Sequence, residues 1–331
     1  MRTLTEKERD VLSNLRRSKT IGVLMGGPSS ERDISLKSGA AVLTHLSEGG
    51  YRVEPFAFGA EEELRAQLHQ KKIQIAFLAL HGKFGEDGVV QALLDSLKIS
   101  YTGSEAWASR RAIDKWAAKE VFQKKGLLTP AAILLKNSDS IPVSGLSFPL
   151  VVKPVSQGSS IGLSIIDHPV ELSEAVRKAF QCDGRVLLEE YIPGSELTVG
   201  ILGEEALPVI QILPGNRCYD YEAKYTSDKT QFLIPAPVDD RTTLSAQEAA
   251  LKAHEALGCS SFSRVDLLLN REGEPVVLEV NTIPGMTARS LLPKACEAAG
   301  ISFLELCERL LLMAFLKRKR RGIHAEEKSS Q

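Results

Sequence analysis

Strand-like and helix-like patterns alternate through the first third of the chain, and no other feature narrows the possible folds as much. Apolar runs predict strands at residues 21–25, 53–58 and 73–80. Helical periodicity predicts helices at 35–48, closed by Gly49-Gly50, at 61–70 and at 87–97. A β-α-β-α order builds a parallel sheet with helices on its faces, and such sheets receive ligands at the carboxyl ends of their strands. Two loops fall there, Gly26-Gly27-Pro28-Ser29-Ser30-Glu31 and His81-Gly82-Lys83-Phe84-Gly85-Glu86-Asp87-Gly88.

At 331 residues the chain exceeds one ordinary core, and its 43% apolar content is enough to bury two or three. A second region starts near Ser104, with a helix over 113–125 stopped by Gly126 and Pro130. Strands at 132–135, 150–153, 163–166 and 186–191 and a helix at 170–180 make it a small α+β lobe. A third region has several strands and terminal helices at 290–299 and 303–316. The expected division is a leading segment at 1–18, a parallel-sheet domain at 19–103, a central lobe at 104–193, a C-terminal lobe at 194–317 and a polar tail at 318–331. Between Pro214 and Pro237 lies a long polar loop carrying Tyr219, Tyr221, Lys224 and Tyr225, a length typical of lids or disordered segments.

A net charge of −1 gives no reason to expect nucleic acid or a membrane surface as partner. The five cysteines are scattered without C-x-x-C spacing, which favours reduced thiols in the cytoplasm over disulfides or a zinc site. The N-terminus lacks the apolar core of a secretory signal, and the longest apolar patch, 310–316, falls short of the ~20 residues of a membrane span. The basic run Lys317-Arg318-Lys319-Arg320-Arg321 suits a helix C-terminus and a solvated tail better than a nucleic-acid site.

Arg264-Val265-Asp266 and Glu279-Val280-Asn281 flank a turn signal at Asn270-Arg271-Glu272-Gly273-Glu274. A hairpin centred between Glu272 and Gly273 sets Asp266 opposite Glu279, Arg264 opposite Asn281 and Leu268 opposite Val277, all on one face. Opposed residues have Cβ atoms roughly 4.5–5.5 Å apart, so two carboxylates repel unless one is protonated or a cation joins them. With the Asn281 amide beside them, an oxygen-preferring divalent cation such as Mg²⁺ is one resolution and a solvated polar face the other. Apolar neighbours from Val265 to Val280 cover both faces and favour a cleft.

Lys153-Pro154 ends a strand and Ser156-Gln157-Gly158-Ser159-Ser160-Ile161-Gly162 follows. Glycines admit anionic oxygens to backbone N–H groups, serines add donors and the lysine adds charge, as in a phosphate-covering flap; the alternative is a plain flexible turn. No Walker A motif or dinucleotide fingerprint occurs. Glu189, Glu190 and Glu196 around a strand end suit an adenosine site or an ordinary solvated edge. Ser290 suits a helix N-cap, and the same free N–H groups suit a carboxylate.

In order and spacing these residues resemble the D-alanine–D-alanine ligases of the ATP-grasp superfamily, from about Thr20 to Leu316. The resemblance is carried by Gly26-Gly27-x-Ser29-x-Glu31-Arg32, His81-Gly82-x-x-Gly85-Glu86-Asp87-Gly88, Tyr101-Thr102-Gly103-Ser104, Asp114-Lys115 and Val152-Lys153-Pro154. It continues through Gly158-Ser159-Ser160-x-Gly162, Tyr219-Asp220-Tyr221-Glu222-Ala223-Lys224-Tyr225, Arg264-x-Asp266 and Glu279-x-Asn281-Thr282-x-Pro284-Gly285-Met286-Thr287. It implies an α/β fold with α+β lobes: an ATP-grasp fold with an N-terminal Rossmann-like parallel-sheet domain. It also implies a homodimer that joins two D-alanine molecules for peptidoglycan synthesis, with ATP as substrate and two Mg²⁺ or Mn²⁺ ions.

Carried over by position, Asp266, Glu279 and Asn281 would be metal ligands. Lys115, Lys153, Ser160 and Lys224 would hold phosphates, and Glu189, Ile192 and Glu196 adenosine. Glu31, linked to Ser159 and Tyr225, would receive the first D-alanine with His81 near its carboxylate. Arg264 and the Gly285 N–H would form the oxyanion site, and Ser290 and Leu291 would take the second carboxylate. Tyr225 favours D-alanine over D-lactate as second substrate. Val155-Ser156-Gln157, where the family usually has an Arg-Glu pair, and Cys218 before Tyr219 depart from the pattern. Alternatives are a ligase using D-serine or D-lactate, and a non-catalytic ATP-binding regulator, which would be expected to lose some of Arg264, Asp266, Glu279 and Asn281.

Overall fold

A computed structural model describes residues 2–137, 141, 145–214 and 230–329, with side chains as far as Lys317. The first helix, α1 (Glu6–Ser18), opens on a capping box: the Thr5 hydroxyl accepts the Glu8 N–H, and the Glu8 carboxylate accepts the Thr5 N–H. The alternation follows as β1 (Thr20–Gly26), α2 (Arg32–Glu48), β2 (Arg52–Phe58), α3 (Glu61–Gln70), β3 (Ile75–Leu78), α4 (Val89–Ser96) and β4 (Ser100–Tyr101). Its strands are parallel in the order β2-β1-β3-β4, so the Gly26–Glu31 and His81–Gly88 loops share one end of the sheet. Helix α4 begins later than its pattern suggests, because Asp87 turns its carboxylate back to the Phe84 and Val89 N–H groups.

The helix expected over 113–125 is present as α6 (Lys115–Lys124), and a short helix that the pattern did not announce, α5 (Ala106–Ile113), precedes it. Asp114 divides them: its backbone is extended and its side chain accepts the Ala117 N–H at 3.0 Å, capping α6. The central lobe contains β5 (Ala132–Leu135), β6 (Leu150–Pro154), β7 (Ser164–Ile166), α7 (Leu172–Phe180) and β8 (Val186–Glu190). Its antiparallel sheet runs β5-β8-β6-β7, with Leu172, Val176 and Ala179 of α7 buried among its side chains.

The last region contains β9 (Ser195–Leu202), β10 (Glu205–Ala206), β11 (Ile210–Leu213), β12 (Gln231–Leu233) and α8 (Asp240–Ala256). It continues with β13 (Phe262–Leu269), β14 (Pro275–Asn281), α9 (Leu291–Ala298) and α10 (Phe303–Ser329). The sheet order is β12-β11-β9-β13-β14, with β10 beside β9. Helix α8 lacked a strong apolar pattern because Ala246, Ala249, Ala250 and Ala253 make its buried face. Helix α10 extends past residue 316, through most of the segment read as a polar tail. Among the described residues no helix is long and apolar enough to cross a membrane.

The β13–β14 hairpin pairs Arg264 with Asn281 and Asp266 with Glu279, as its turn predicts. Leu268 is the exception: it pairs with Val276, while Val277 pairs with Leu267. A bulge between Asp266 and Leu267 shifts the register by one residue, which sends Val277 into the core and leaves Leu278 beside Leu268 at a cavity. Phe262, Met286, Leu291 and Leu292 share one core with Ile21, Val23 and Phe77, so the hairpin end of the third sheet is packed on the first.

Candidate active site

The two facing carboxylates of the hairpin are neutralised by separate cations of the protein. Arg264 forks onto Asp266, Nε to Oδ1 at 2.9 Å and Nη2 to Oδ2 at 2.8 Å, and Lys115 Nζ lies 3.3 Å from Glu279. Asp266 also accepts from Thr198 Oγ1 at 2.6 Å and Asn281 Nδ2 at 3.0 Å. Asp266 therefore anchors the very arginine that borders the neighbouring cavity. Among the described residues no group of three His, Cys, Asp or Glu side chains is placed for a metal; the donors here are two carboxylates and an amide oxygen.

A cavity of about 310 Å³ lies between the central and third sheets, and Lys115, Lys153, Ser160, Glu189, Ile192 and Glu196 line it together with Asp266 and Glu279. Lys153 Nζ is 2.7 Å from one Glu189 oxygen and Lys119 Nζ is 3.0 Å from the other. Burial pushes the Glu189 carboxyl upward, but the two ammonium groups outweigh it and hold it below the usual range. Lys119 is itself pushed down to about 8 by burial and donates to Thr129 Oγ1 and Pro130 O, both at 2.9 Å. Glu189 is thus the buried brace of Lys153, while Ile192 and Glu196 border the open space.

A smaller cavity of about 70 Å³ adjoins across the Arg264–Asp266 pair and is lined by Glu31, His81, Ser159, Arg264, Gly285, Ser290 and Leu291. Ser159 Oγ donates to the buried Glu31 carboxylate, and Gln157 Nε2 donates to Ser30 Oγ at 3.1 Å, so the flap is closed on the loop after β1. Gly158 lies close under that carboxylate: a Cβ there would lie 2.7 Å from Glu31 Oε2 and would have to displace it. Ser159 and Ser160 both take left-handed backbone angles, φ 52° and 56°, which non-glycine residues adopt only when their surroundings hold them.

His81 spends neither ring nitrogen on the cavity: Nδ1 donates to Ile283 O and Nε2 faces Ser38 Oγ, both at 3.1 Å. Burial holds the ring below its usual pKa, hence neutral. Glu86 stands at the same wall, its carboxyl pushed up to about 8 by burial and the nearby Glu31 charge. Ser290 occupies the N-cap of α9 without capping it, because its Oγ accepts the Thr287 N–H at 2.9 Å. The start of α9, at Ser290 and Leu291, thus borders the cavity without a side-chain cap, where the positive end of a helix favours an anion. Lys224 and Tyr225 lie outside the described residues.

Residues 58–104 match the family model "D-ala D-ala ligase N-terminus", and residues 129–312 match "D-ala D-ala ligase C-terminus". A D-alanine–D-alanine ligase of Syntrophotalea carbinolica is 44% identical over 300 residues, 91% of this chain and 97% of that one. The chain belongs to the D-alanine–D-alanine ligase family. Solved structures agree: a D-alanine–D-alanine ligase of Bacillus anthracis superposes with a TM-score of 0.83 at 37% identity, covering 92% of this chain and 100% of that one. A D-alanine–D-alanine ligase of Bacillus anthracis complexed with ATP gives 0.81 at 34%, again over 92% and 100% of the two chains. A D-Ala:D-Ser ligase of Enterococcus faecalis gives 0.78 at 29%, over 89% and 99%.

The ligase carries its fold as expected, an α/β ATP-grasp architecture with the parallel sheet at its N-terminal end. Four polar residues of the ligase's site were not picked out as site residues from sequence: Lys119, Thr198, Ser38 and Glu86, the last named only as part of its loop. Lys119 had one available signal, its place one helical turn after Lys115 on α6; a lone threonine in a strand and a lone serine in a helix carry none.

Proposed function

We propose that this ligase joins two molecules of D-alanine into D-alanyl-D-alanine at the expense of ATP, through an acyl phosphate, for peptidoglycan precursors. The observation that carries it is the contact of two cavities, one of nucleotide size and one of amino-acid size, across the single Arg264–Asp266 pair at 2.8 Å. ATP lies in the larger cavity, with Lys115, Lys153 and Ser160 at its phosphates and Ile192 and Glu196 at adenosine. The Lys119–Glu189–Lys153 chain keeps the Lys153 ammonium in place. Lys224 would add a further phosphate contact, as the family resemblance implies.

The first D-alanine pairs its ammonium with Glu31, and its carboxylate oxygen attacks the terminal phosphorus of ATP, forming the acyl phosphate as the bond to ADP breaks and ADP leaves. A carboxylate resists amines, whereas the acyl phosphate carries a good leaving group. The second D-alanine, its carboxylate at Ser290 and the start of α9, then attacks through its amine. Arg264 and the Gly285 N–H receive the charge of the tetrahedral oxygen. Ser159, bonded to Glu31, closes the flap against water, which would hydrolyse the acyl phosphate, and Tyr225 would join it as the family resemblance implies.

Two facing carboxylates with one amide oxygen suit an oxygen-preferring ion, so Asp266, Glu279 and Asn281 would hold two Mg²⁺ or Mn²⁺ ions, whose charge would offset that of the phosphate oxygens. The division into domains at 19–103, 104–193 and 194–317 accompanies this reading, since each sheet falls within one of them. A cytoplasmic homodimer belongs to it as well.

The test is product analysis by mass after incubation with ATP, Mg²⁺ and single amino or hydroxy acids. D-alanine alone should give phosphate release with its dipeptide. No dipeptide from D-alanine alone, with product formed only when D-serine or D-lactate is added to it in a second incubation, would replace the reading with that alternative.

A further inference from the structure

We propose that Ser38, His81 and Glu86 form a clamp that fixes the backbone of residues 283–286 and, through it, the Gly285 N–H at the oxyanion site. The inference rests on the role given to Gly285 above and adds the residues that position it. All three side chains come from the region of the first sheet, Ser38 from α2 and the other two from the loop between β3 and α4. The loop they hold follows β14 in the third sheet, so the clamp joins the two parts of the protein that form the small cavity.

The hydrogen bonds have a determined direction. Ile283 O can only accept, so the His81 nitrogen 3.1 Å from it, Nδ1, carries the proton and Nε2 of the neutral ring is left as an acceptor. Ser38 Oγ, 3.1 Å from Nε2, therefore donates to the ring and has lone pairs left to accept the Met286 N–H at 3.2 Å. Glu86 takes the other side of the Ile283 residue: Oε1 accepts its N–H at 3.3 Å while Oε2 accepts the Gly82 N–H at 2.8 Å. Ile283 is held at both its N–H and its C=O, and Met286 at its N–H.

Only Pro284 and Gly285 lie between these anchors, and the proline ring fixes its own φ, so little slack remains for the Gly285 amide. On its far side that residue is crowded by Ser290: a Cβ on Gly285 would meet Ser290 Oγ at 2.6 Å. An oxyanion donor acts by being aimed beforehand at the place where charge develops, and its aim is set by whatever holds its backbone. Ser38, His81 and Glu86 are positioning residues in this sense.

The test compares wild type with S38A, which removes one oxygen, and E86Q, which keeps the shape but replaces one accepting oxygen by an amide nitrogen that cannot accept. For each, kcat, the KM values for D-alanine and ATP, and the inhibition constant of a dipeptide phosphinate are measured. The phosphinate places an anionic oxygen on a tetrahedral centre, as the intermediate does. In both variants kcat and phosphinate affinity should fall together, roughly 10–100-fold, while the two KM values stay close to wild type. An unchanged kcat in both, or equal losses for D-alanine and the phosphinate, would overturn the clamp. A wild type that ligates D-alanine yet holds the phosphinate no better than D-alanine would remove the oxyanion role of Gly285, and the clamp with it.

Discussion

Glu86 gives the substrate cavity a pH signature. Its carboxyl titrates near 8 in the native state and near 4.5 in an unfolded chain, so between these values the native state keeps a proton that the unfolded chain has lost. Its contribution to stability is therefore greatest below about pH 4.5 and falls as pH rises toward 8, by at most ~1.4 kcal/mol per pH unit and less where cavity water screens it. Denaturation midpoints at pH 5 and pH 8 should differ more for wild type than for Glu86→Gln; equal differences would remove the assignment. Gly158→Ala tests the flap at the same scale. The added methyl must displace Glu31 Oε2, only 2.7 Å away, and a shifted Glu31 misplaces the first substrate. Initial rates should show kcat/KM for D-alanine lowered roughly 10–100-fold with KM for ATP little changed. At this scale the polar pairing of the hairpin was legible, because a turn signal and a period of two settle who faces whom. Leu268 opposite Val277 was not, because the bulge after Asp266 arises from packing that local sequence does not encode.

At the scale of elements, α1 is held to α10 by both core and charge. Leu12 and Leu15 are buried, Arg16 pairs with Glu308, and Tyr51 donates to the same carboxylate at 2.9 Å. Leu15→Ala should cost about 2–4 kcal/mol in stability, seen as a lower denaturation midpoint, with both KM values unchanged because α1 lines neither ligand cavity. Changed KM values at full stability would show that the helix acts on the site. The alternating first third was legible because its helices and strands have long apolar runs of distinct period. The join between α5 and α6 and the alanine-faced α8 were not: one Asp both interrupts and caps, and methyl groups give little contrast. The capping box of α1 shows that a local signal was present in a segment that lies outside the family's pattern.

For the molecule as a whole, three sheets meet so that the hairpin of the third stands between a nucleotide-sized space and the loops of the first. The chemistry was legible as a set of spaced blocks, while the assembly of those blocks into two adjoining cavities required the fold. The central claim is that a D-alanine carboxylate is phosphorylated before the peptide bond forms. Transfer of oxygen tests this most directly: D-alanine labelled with ¹⁸O in its carboxylate is turned over with ATP, and the released phosphate is weighed by mass spectrometry. One ¹⁸O per phosphate formed with each dipeptide is the predicted result, because the bridging oxygen of the acyl phosphate leaves with phosphorus. Dipeptide accompanied by unlabelled phosphate would contradict it.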